Sequence, residues 1–577
     1  MSSFAQAGDL LRVGWMITLV PCRTTLGRGA LAALLGWTVA STATAQTGLL
    51  PLPAASGEDV VALVAAAQRL SAERRWGDAA AAWRRVVAAN PTQGRSHYLL
   101  AGAELAAGDT VAALGSLARF IELGGGAPAE SSAFGPDTPG GAAYQVARIH
   151  ALQGRREAAL EWLARALALR YRARTALWGD TAFAALRGDA RFARLAGRSP
   201  GPEPGRVEGW RADIAFLQEE LERLHPAPYA KVSREAFTAA ARRLMDSVPV
   251  LSDAGVALGI QRLLSRVGDG HTGVPTEGVP AWRGTLPLQF ESFADSIFVV
   301  AADSAHAALV GRRVVAVDGH PVEQVVRALD AIASRDNSLG VLRNRGRHLR
   351  YPRILHELGV AERADGVRLT VQDDAGARRT IDVSAGPVPA AYDRITGHPA
   401  WVALYAQGPA APLYLRDRRT PYWFTYVPGQ RLLYVGFNSV VEMPADPFAG
   451  FVRRLLRTVD SAAVDRVVVD LRWNNGGNSL MLPPLVQGLA RSRVNRPGRL
   501  FVVTSRYTYS AAMNLAAFLE RNTDAVFVGE PTPSSPNWTG ESNIFFLPRS
   551  GTPVSISNVY WQSSWPFDAR TWIAPGL

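Results

Sequence analysis

The chain contains a single cysteine and a single lysine, and these two shortages limit the chemistry open to it. Cys22 lies inside an N-terminal segment with the features of an export signal, so the mature protein would have no disulfide, no thiolate nucleophile and no cysteine ligand for a metal. Lys231 is the only lysine among 577 residues. A lysine base therefore cannot come from the C-terminal half of the chain.

Basic runs and the common nucleotide and metal motifs are also missing. The formal net charge is +12, but the arginines are spread along the chain without an RNA-binding signature, so we expect no nucleic-acid partner. There is no Walker loop and no dinucleotide fingerprint, and the histidines of HLRYPRILHE (348–357) lack metalloprotease spacing. The sequence therefore predicts neither a cofactor nor a bound metal.

The N-terminus has the pattern of a signal peptide. Arg23 and Arg28 precede a short apolar run at 29–40, and residues 43–45 (Ala-Thr-Ala) offer a small-residue cleavage site. The apolar run is too short to span a bilayer comfortably, although an uncleaved short membrane anchor is the alternative. We expect residues 1–45 to be a signal peptide and the mature bacterial protein to be periplasmic or secreted, with no stable membrane span.

Residues 46–197 have the pattern of repeated antiparallel helices. Three segments share a glycine that we interpret as a turn residue, then alanines, then a bulky apolar stripe; the glycines are Gly77, Gly108 and Gly154. The first two glycines are 31 residues apart, close to the tetratricopeptide period, and a Gly/Pro/Ser-rich insert at 124–141 precedes the third. The pattern predicts tetratricopeptide-like repeats that bind a peptide or a partner protein, with a generic helical bundle as the alternative.

The rest of the chain divides into four further segments. A Pro/Gly linker at 198–208 precedes a helical segment at 209–283, and strand patterns dominate 284–390. From 391 to 577 strands alternate with helices, which predicts a largely parallel sheet. The predicted fold class is a multidomain chain, with an all-α region followed by a domain of α+β and α/β character.

Two glycines follow the buried strand pattern near residue 470. In VVVDLRWNNGGNS (467–479) the strand leads into Asn474-Asn475-Gly476-Gly477. Paired glycines let a main-chain amide approach a ligand closely, as an oxyanion site requires. The alternative is an ordinary Asn/Gly turn.

Ser510 and His271 are the other candidate residues. Ser510 lies where the next strand pattern gives way to a helix, so its hydroxyl would meet a helix N-terminus and the amide of Ala511. The alternative for Ser510 is a simple N-cap. His271 lies in the glycine-containing loop VGDGHTGV (267–274), where a structural or solvated histidine is the alternative.

Four of these segments, taken in order, resemble the S41 peptidases, which comprise the tail-specific (C-terminal processing) proteases and their tricorn-core relatives. The matching stretches are GDGHTG, DLRWNNGGN, YSAAMN and VFVGEPT, and HPAPYAKVSREAF (225–237) is similar to the helical start of the family's domain. The resemblance covers about 210–577. It implies a crotonase-like (ClpP-type) core, a helical N-terminal subdomain, a β-rich insert, and a serine peptidase that acts on peptide or protein substrates.

The resemblance also implies roles for particular residues. Ser510 would be the nucleophile, and the amides of Ala511, Gly476 and Gly477 would form the oxyanion hole. Tail-specific proteases activate the serine with a lysine in a GEK-like position, where this chain has Glu530-Pro531. The Ser–Lys arrangement is thereby excluded unless Lys231 reaches the site.

The tricorn-like branch instead uses a histidine base at the position that matches His271. By position, Asp568 in WPFDARTWIAPGL is the nearest match to the acidic residue that assists this histidine. Asp269 is close to His271 in sequence, but neighbouring side chains in a tight loop often diverge. Family members usually continue beyond the point where this chain stops, at Pro575-Gly576-Leu577.

Other functions are compatible with the same sequence. LVGRRVVAVDGHPV (309–322) resembles one hairpin of a PDZ module, although the carboxylate-binding loop signature is not evident. Because the superfamily includes retinoid-binding proteins, a catalytically inactive member that binds a peptide or a small apolar ligand is one alternative. A scaffold built on the helical repeats is the other.

Overall fold

The structure is a computed structural model that describes residues 59–125, 138–198, 204–293, 296–393, 395, 397–405 and 411–577. The predicted signal peptide (1–45) and most of the predicted insert at 124–141 lie outside these residues. Among the helices described, none combines the length and apolar character needed to cross a bilayer.

The N-terminal part is helical. Successive helices pack against each other through buried alanines and larger apolar side chains; the helices are α1 Val60–Ala72, α2 Trp76–Ala89, α3 Gly94–Ala106, α4 Thr110–Glu122, α5 Pro139–Leu152, α6 Arg156–Ala168 and α7 Ala190–Leu195. Gly108 and Gly154 lie between helices with positive φ. Gly77 was predicted to be a turn residue as well, but it lies in the first turn of α2, and Arg74, with φ of 58°, occupies the turn.

Three helices begin the second part of the chain. They are α8 Arg206–Leu224, α9 Arg234–Ser247 and α10 Asp253–Leu264, so α8 begins within the predicted linker at 198–208. The apolar spacing along α8 corresponds to its buried face, since Ile214, Leu217, Leu221 and Leu224 are at most 1% exposed. These helices share a core with side chains from near the C-terminus, including Phe545 and Ile556.

An antiparallel sheet follows. Its strands are β1 Leu288–Phe293, β2 Ser296–Ala302, β3 Arg313–Val317, β4 His320–Pro321, β5 Gly366–Gln372, β6 Arg378–Ser384 and β7 Val402–Ala403. The order is β1-β2-β3-β5-β6, with β4 paired to β3 and β7 paired to β2. The segment predicted to be β-rich also contains three helices, α11 Val322–Asp330, α12 Ser338–Leu349 and α13 Pro352–Glu357.

A five-stranded sheet forms the C-terminal part of the fold. Its strands are β8 Tyr422–Val427, β9 Leu432–Phe437, β10 Arg466–Asp470, β11 Leu500–Thr504 and β12 Val526–Gly529. They lie in the order β12-β11-β10-β9-β8; β9 to β12 are parallel and β8 is an antiparallel edge. The accompanying helices are α14 Leu413–Arg416, α15 Phe448–Ser461, α16 Pro483–Arg491 and α17 Ala511–Asn522. A helical N-terminal part is thus followed by a mixed α/β part.

A long hairpin connects two of the hydrophobic cores of this second part. It consists of β13 Asn537–Phe546 and β14 Pro553–Gln562. Trp538 and Trp561 belong to the core of the parallel sheet, whereas Phe545 and Ile556 belong to the core of α8–α10. An isolated bridge pairs Gly273 with Ser555 of β14. The hairpin therefore brings the histidine loop close to the carboxyl edge of the parallel sheet.

Candidate active site

Ser510 lies in a strained turn between β11 and α17. Its φ and ψ are 56° and −124°, and its side chain makes no capping hydrogen bond to the helix. Its backbone carbonyl accepts the N–H of Met513 at 2.8 Å, so the backbone begins the helix while the hydroxyl does not take part. A strained serine at a strand-to-helix turn is the arrangement that exposes a nucleophile in other hydrolases.

The glycine turn lies directly against Ser510. Gly476 has φ of 100°, and a Cβ atom built on it would lie 2.6 Å from Ser510 Cβ and 2.9 Å from the Ala511 nitrogen. The two loops are also joined by the Tyr509 N–H, which donates to the Asn474 carbonyl at 3.0 Å. Only glycine permits this approach.

The backbone N–H groups near Ser510 differ in whether they already have a hydrogen-bond acceptor. The Gly476 N–H already donates to Asn474 Oδ1 at 3.0 Å, so its role as an oxyanion donor stays a prediction, whereas its missing side chain leaves room for Ser510. The N–H groups of Ala511 and Gly477 have no acceptor among the described residues. Because Ala511 is the first residue of α17, its N–H also has the favourable end of the helix dipole behind it.

A buried carboxylate fixes the loop that carries His271. Asp269 accepts the backbone N–H groups of His271 at 2.8 Å and of Thr272 at 2.6 Å, and the hydroxyl of Ser557 at 2.7 Å. Its second oxygen contacts His225 Nε2 at 2.9 Å. Burial raises the pKa of Asp269, but the hydrogen bonds from His225, Ser557 and Thr272 and the charge of His225 together outweigh it and leave that pKa lowered. Asp269 therefore orients the loop backbone.

The imidazole of His271 contacts the residue that precedes the serine. His271 Nδ1 lies 2.7 Å from the Tyr509 hydroxyl, and the two rings stack with centroids 4.4 Å apart. The imidazole also stacks on Trp538 of the hairpin, at 4.9 Å. His271 and Ser510, 239 positions apart in sequence, line the same cavity of about 370 Å³. Among the described residues, no group of three or more His, Cys, Asp or Glu is placed to hold a metal.

Asp568, whose place beside His271 stays a prediction, binds two residues close to it in sequence. Its carboxylate accepts the Ser564 hydroxyl at 2.7 Å and the Arg570 guanidinium at 2.8 Å. The hydrogen bond from Arg570 holds the pKa of Asp568 well below its usual range. Arg570 also binds Glu520 at 2.8 Å. The arginine two positions away therefore takes up the charge that was expected to face the histidine.

Lys231 contacts the histidine loop at Gly268. Its ammonium group donates to the carbonyls of Gly268, at 2.5 Å, and Asp336, at 2.8 Å. Lys231 is not among the side chains that line the cavity with Ser510. The only lysine in the sequence thus contacts loop carbonyls rather than the serine.

Three residues of the site were not predicted from the sequence. Tyr509 touches the imidazole, Arg343 of α12 lines the cavity, and Asp336 is half-buried against the histidine loop, where it accepts the Gly270 N–H at 3.2 Å. Burial, with the charge of Asp269, raises the pKa of Asp336 to about 6. Tyr509 could have been predicted as a site residue, because it is adjacent to Ser510 in sequence. Arg343 could not, because α12 is distant in sequence from the other site residues.

Among known proteins, similarity to this chain is found in solved structures. No protein-family model and no curated protein sequence matches the chain. Among solved structures, mature CPAF in complex with lactacystin is 13% identical, covers 64% of this chain and 93% of its own, and has a TM-score of 0.46. The photosystem II D1 C-terminal processing protease is 15% identical over 64% of this chain and 92% of its own, at a TM-score of 0.31. A protein described as an S41 protease, from Bacteroides fragilis, is 14% identical over 66% of this chain and 91% of its own, at 0.27.

Proposed function

We propose that this chain is an exported serine endopeptidase of the S41 type, with Ser510 as nucleophile and His271 as general base. The observation that carries the proposal is the cavity that Ser510 and His271 share, with the glycine turn packed against the serine. A nucleophile, a base and backbone donors within one concave site are what acyl transfer requires.

The geometry supports a specific catalytic role for each of these groups. His271 accepts the Ser510 proton as the hydroxyl oxygen attacks the peptide carbonyl carbon, and the N–H groups of Ala511 and Gly477 stabilise the oxyanion that forms. The protonated imidazole then donates its proton to the leaving amine, and water hydrolyses the acyl-enzyme by the reverse sequence. Because Nδ1 lies at the Tyr509 hydroxyl, we assign the proton transfers to Nε2.

The remaining parts of the chain are assigned supporting roles. The signal peptide at 1–45 would deliver the enzyme to the periplasm or the exterior, and the helical repeats would recruit a peptide substrate or a protein partner. The repeats lie against the second part through Arg174, which bonds Glu220 at 2.9 Å, and Arg223, which bonds the Tyr171 carbonyl at 2.7 Å. A partner held by the repeats would thus be tethered to the peptidase part.

A serine-reactive fluorophosphonate probe tests the nucleophile. We expect the probe to label the wild-type chain at Ser510, and we expect Ser510→Ala and His271→Gln to abolish both labelling and hydrolysis of denatured casein. Ser542→Ala is the matched control, because Ser542 lines the same cavity and has no assigned role. Unchanged labelling or hydrolysis in Ser510→Ala would disprove the assignment.

A further inference from the structure

Arg343 places a positive charge on the wall of the cavity that holds Ser510. Its guanidinium carbon lies 3.5 Å from the centroid of the Tyr509 ring, and Nη1 donates to Asn475 Oδ1 at 3.1 Å. Tyr509 directly precedes the nucleophile, and Asn475 directly precedes the glycine turn. Arg343 therefore contacts both loops of the proposed catalytic site.

No carboxylate among the described residues forms an ion pair with Arg343, although the charge of Asp336 acts on it. On the same helix, Arg345 pairs with Asp330 at 2.7 Å and Arg347 pairs with Glu277, whereas the one hydrogen-bond acceptor of Arg343 is the neutral amide of Asn475. Arg343 is half-buried, because it borders the cavity while protein atoms surround it, and this burial lowers its pKa. A guanidinium has five N–H donors, so most of those of Arg343 remain for a ligand.

The cavity as a whole suits an anion. Its lining includes Arg343 and Arg347, of which Arg347 is paired with Glu277, and it includes no aspartate or glutamate. A carboxylate is the anion that a peptide carries, and guanidinium groups bind carboxylates through paired, charge-assisted hydrogen bonds.

We propose that Arg343 binds a carboxylate of the peptide substrate, close to the bond that is cut. The carboxylate belongs either to an aspartate or glutamate side chain or to the substrate's C-terminus. This inference rests on the proposed peptidase function and adds the substrate class to it. Arg343 is then a specificity-determining residue, and peptides without a carboxylate near the cleavage site are poor substrates.

Matched peptides test the proposal. Cleavage sites are first mapped by mass spectrometry in denatured casein, and synthetic peptides around one site are then made with Glu or Gln at each flanking position and with a free or an amidated C-terminus. We expect wild-type kcat/KM to favour one carboxylate over its amide by about tenfold to a hundredfold, the range for a hydrogen bond between charged groups. The position at which the preference appears distinguishes a side chain from a terminus.

Variants of the arginine decide whether it is responsible. In Arg343→Gln the ratio of kcat/KM between the carboxylate and amide peptides should fall to about one, whatever the change in overall rate, and Arg343→Lys, which keeps the charge, should retain part of the preference. Arg353→Gln is the control, because Arg353 is exposed on α13 and outside the cavity. Absence of any preference in wild type, or a full preference in Arg343→Gln, would refute the proposal.

Binding separates this proposal from the peptidase assignment. Ser510→Ala should bind the carboxylate peptide more tightly than its amide in fluorescence anisotropy, and the double variant Ser510→Ala/Arg343→Gln should bind both equally. If wild type neither cuts casein nor reacts with the probe while this difference in binding persists, the peptidase assignment fails and the carboxylate site stands. Equal binding of both peptides by Ser510→Ala refutes the carboxylate site.

Discussion

Replacing Gly476 with alanine should inactivate the site by displacing Ser510. The added Cβ would lie 2.6 Å from Ser510 Cβ, 2.8 Å from the Tyr509 carbonyl oxygen and 2.9 Å from the Ala511 nitrogen, whereas ordinary contact begins at 3.4 Å. Relief of the first overlap therefore requires a shift of 3.4 − 2.6 = 0.8 Å. A misplacement of about 1 Å near the reacting atoms costs on the order of a hundredfold in rate. We expect a loss of that size in the rate of fluorophosphonate labelling per folded molecule.

The Gly476→Ala variant should also have a lower free energy of unfolding, for two separable reasons. Alanine at a φ of 100° is strained, at a cost of about 1–3 kcal/mol, and overpacking adds about 1–3 kcal/mol. Gly498→Ala is the matched control, because Gly498 has φ of 74° and no atom lies within 4 Å of the position that its added Cβ would take. Urea unfolding of the two variants should differ by about 1–3 kcal/mol, which is the overpacking cost alone.

The labelling rate gives the decisive outcome. Gly498→Ala should react with the probe at the wild-type rate even though it is destabilised, since its strain lies away from the serine. If Gly476→Ala reacted as fast as Gly498→Ala, the glycine turn would not constrain Ser510, and the proposed oxyanion site would lose its structural basis.

Two other predictions concern residues around the histidine. Tyr509→Phe keeps the stacked ring but removes the hydroxyl 2.7 Å from Nδ1, so kcat should fall by about twofold to tenfold with little change in KM, whereas Tyr426→Phe, which loses a bond to a backbone carbonyl elsewhere, should leave kcat unchanged. Equal kcat in Tyr509→Phe and wild type would remove the tyrosine from the mechanism. Asp336 has a pKa raised to about 6 by burial and by Asp269, above the value of about 3.9 in an unfolded chain. The folded protein therefore retains a proton that the unfolded chain releases, and this contribution to stability is lost as pH rises from about 4 to about 6. Asp336→Asn should accordingly have a free energy of unfolding about 3 kcal/mol higher than wild type above pH 6, and the advantage should disappear near pH 4; an advantage that is constant with pH would contradict this reasoning.

The sequence indicated the elements in which pattern and local chemistry agree. The strands at β10 and β11 and the helix at α17 coincide with the apolar runs and the helical spacing predicted for them, and Ser510 lies at the predicted strand-to-helix junction. The sequence patterns did not predict the helices at 322–357, which lie within the segment predicted to be β-rich. Val322, Val325 and Leu329 are spaced as one face of a helix. The strand patterns on either side nevertheless favoured a β-rich prediction for the whole segment.

The sequence by itself determined which residue types were available, and the tertiary structure decided which of them meet. With one lysine, far upstream, and histidines only before residue 399, any histidine acting on Ser510 had to come from an earlier part of the chain. His271 reaches the cavity because β13 and β14 bury side chains in two cores at once and pair with its loop, a contact that no local pattern specifies. The same packing brings Glu520 to Arg570 and places Arg343 beside Tyr509. Distant charges are partnered by how the cores pack, and so only the folded chain reveals which charges are neutralised and which face the cavity.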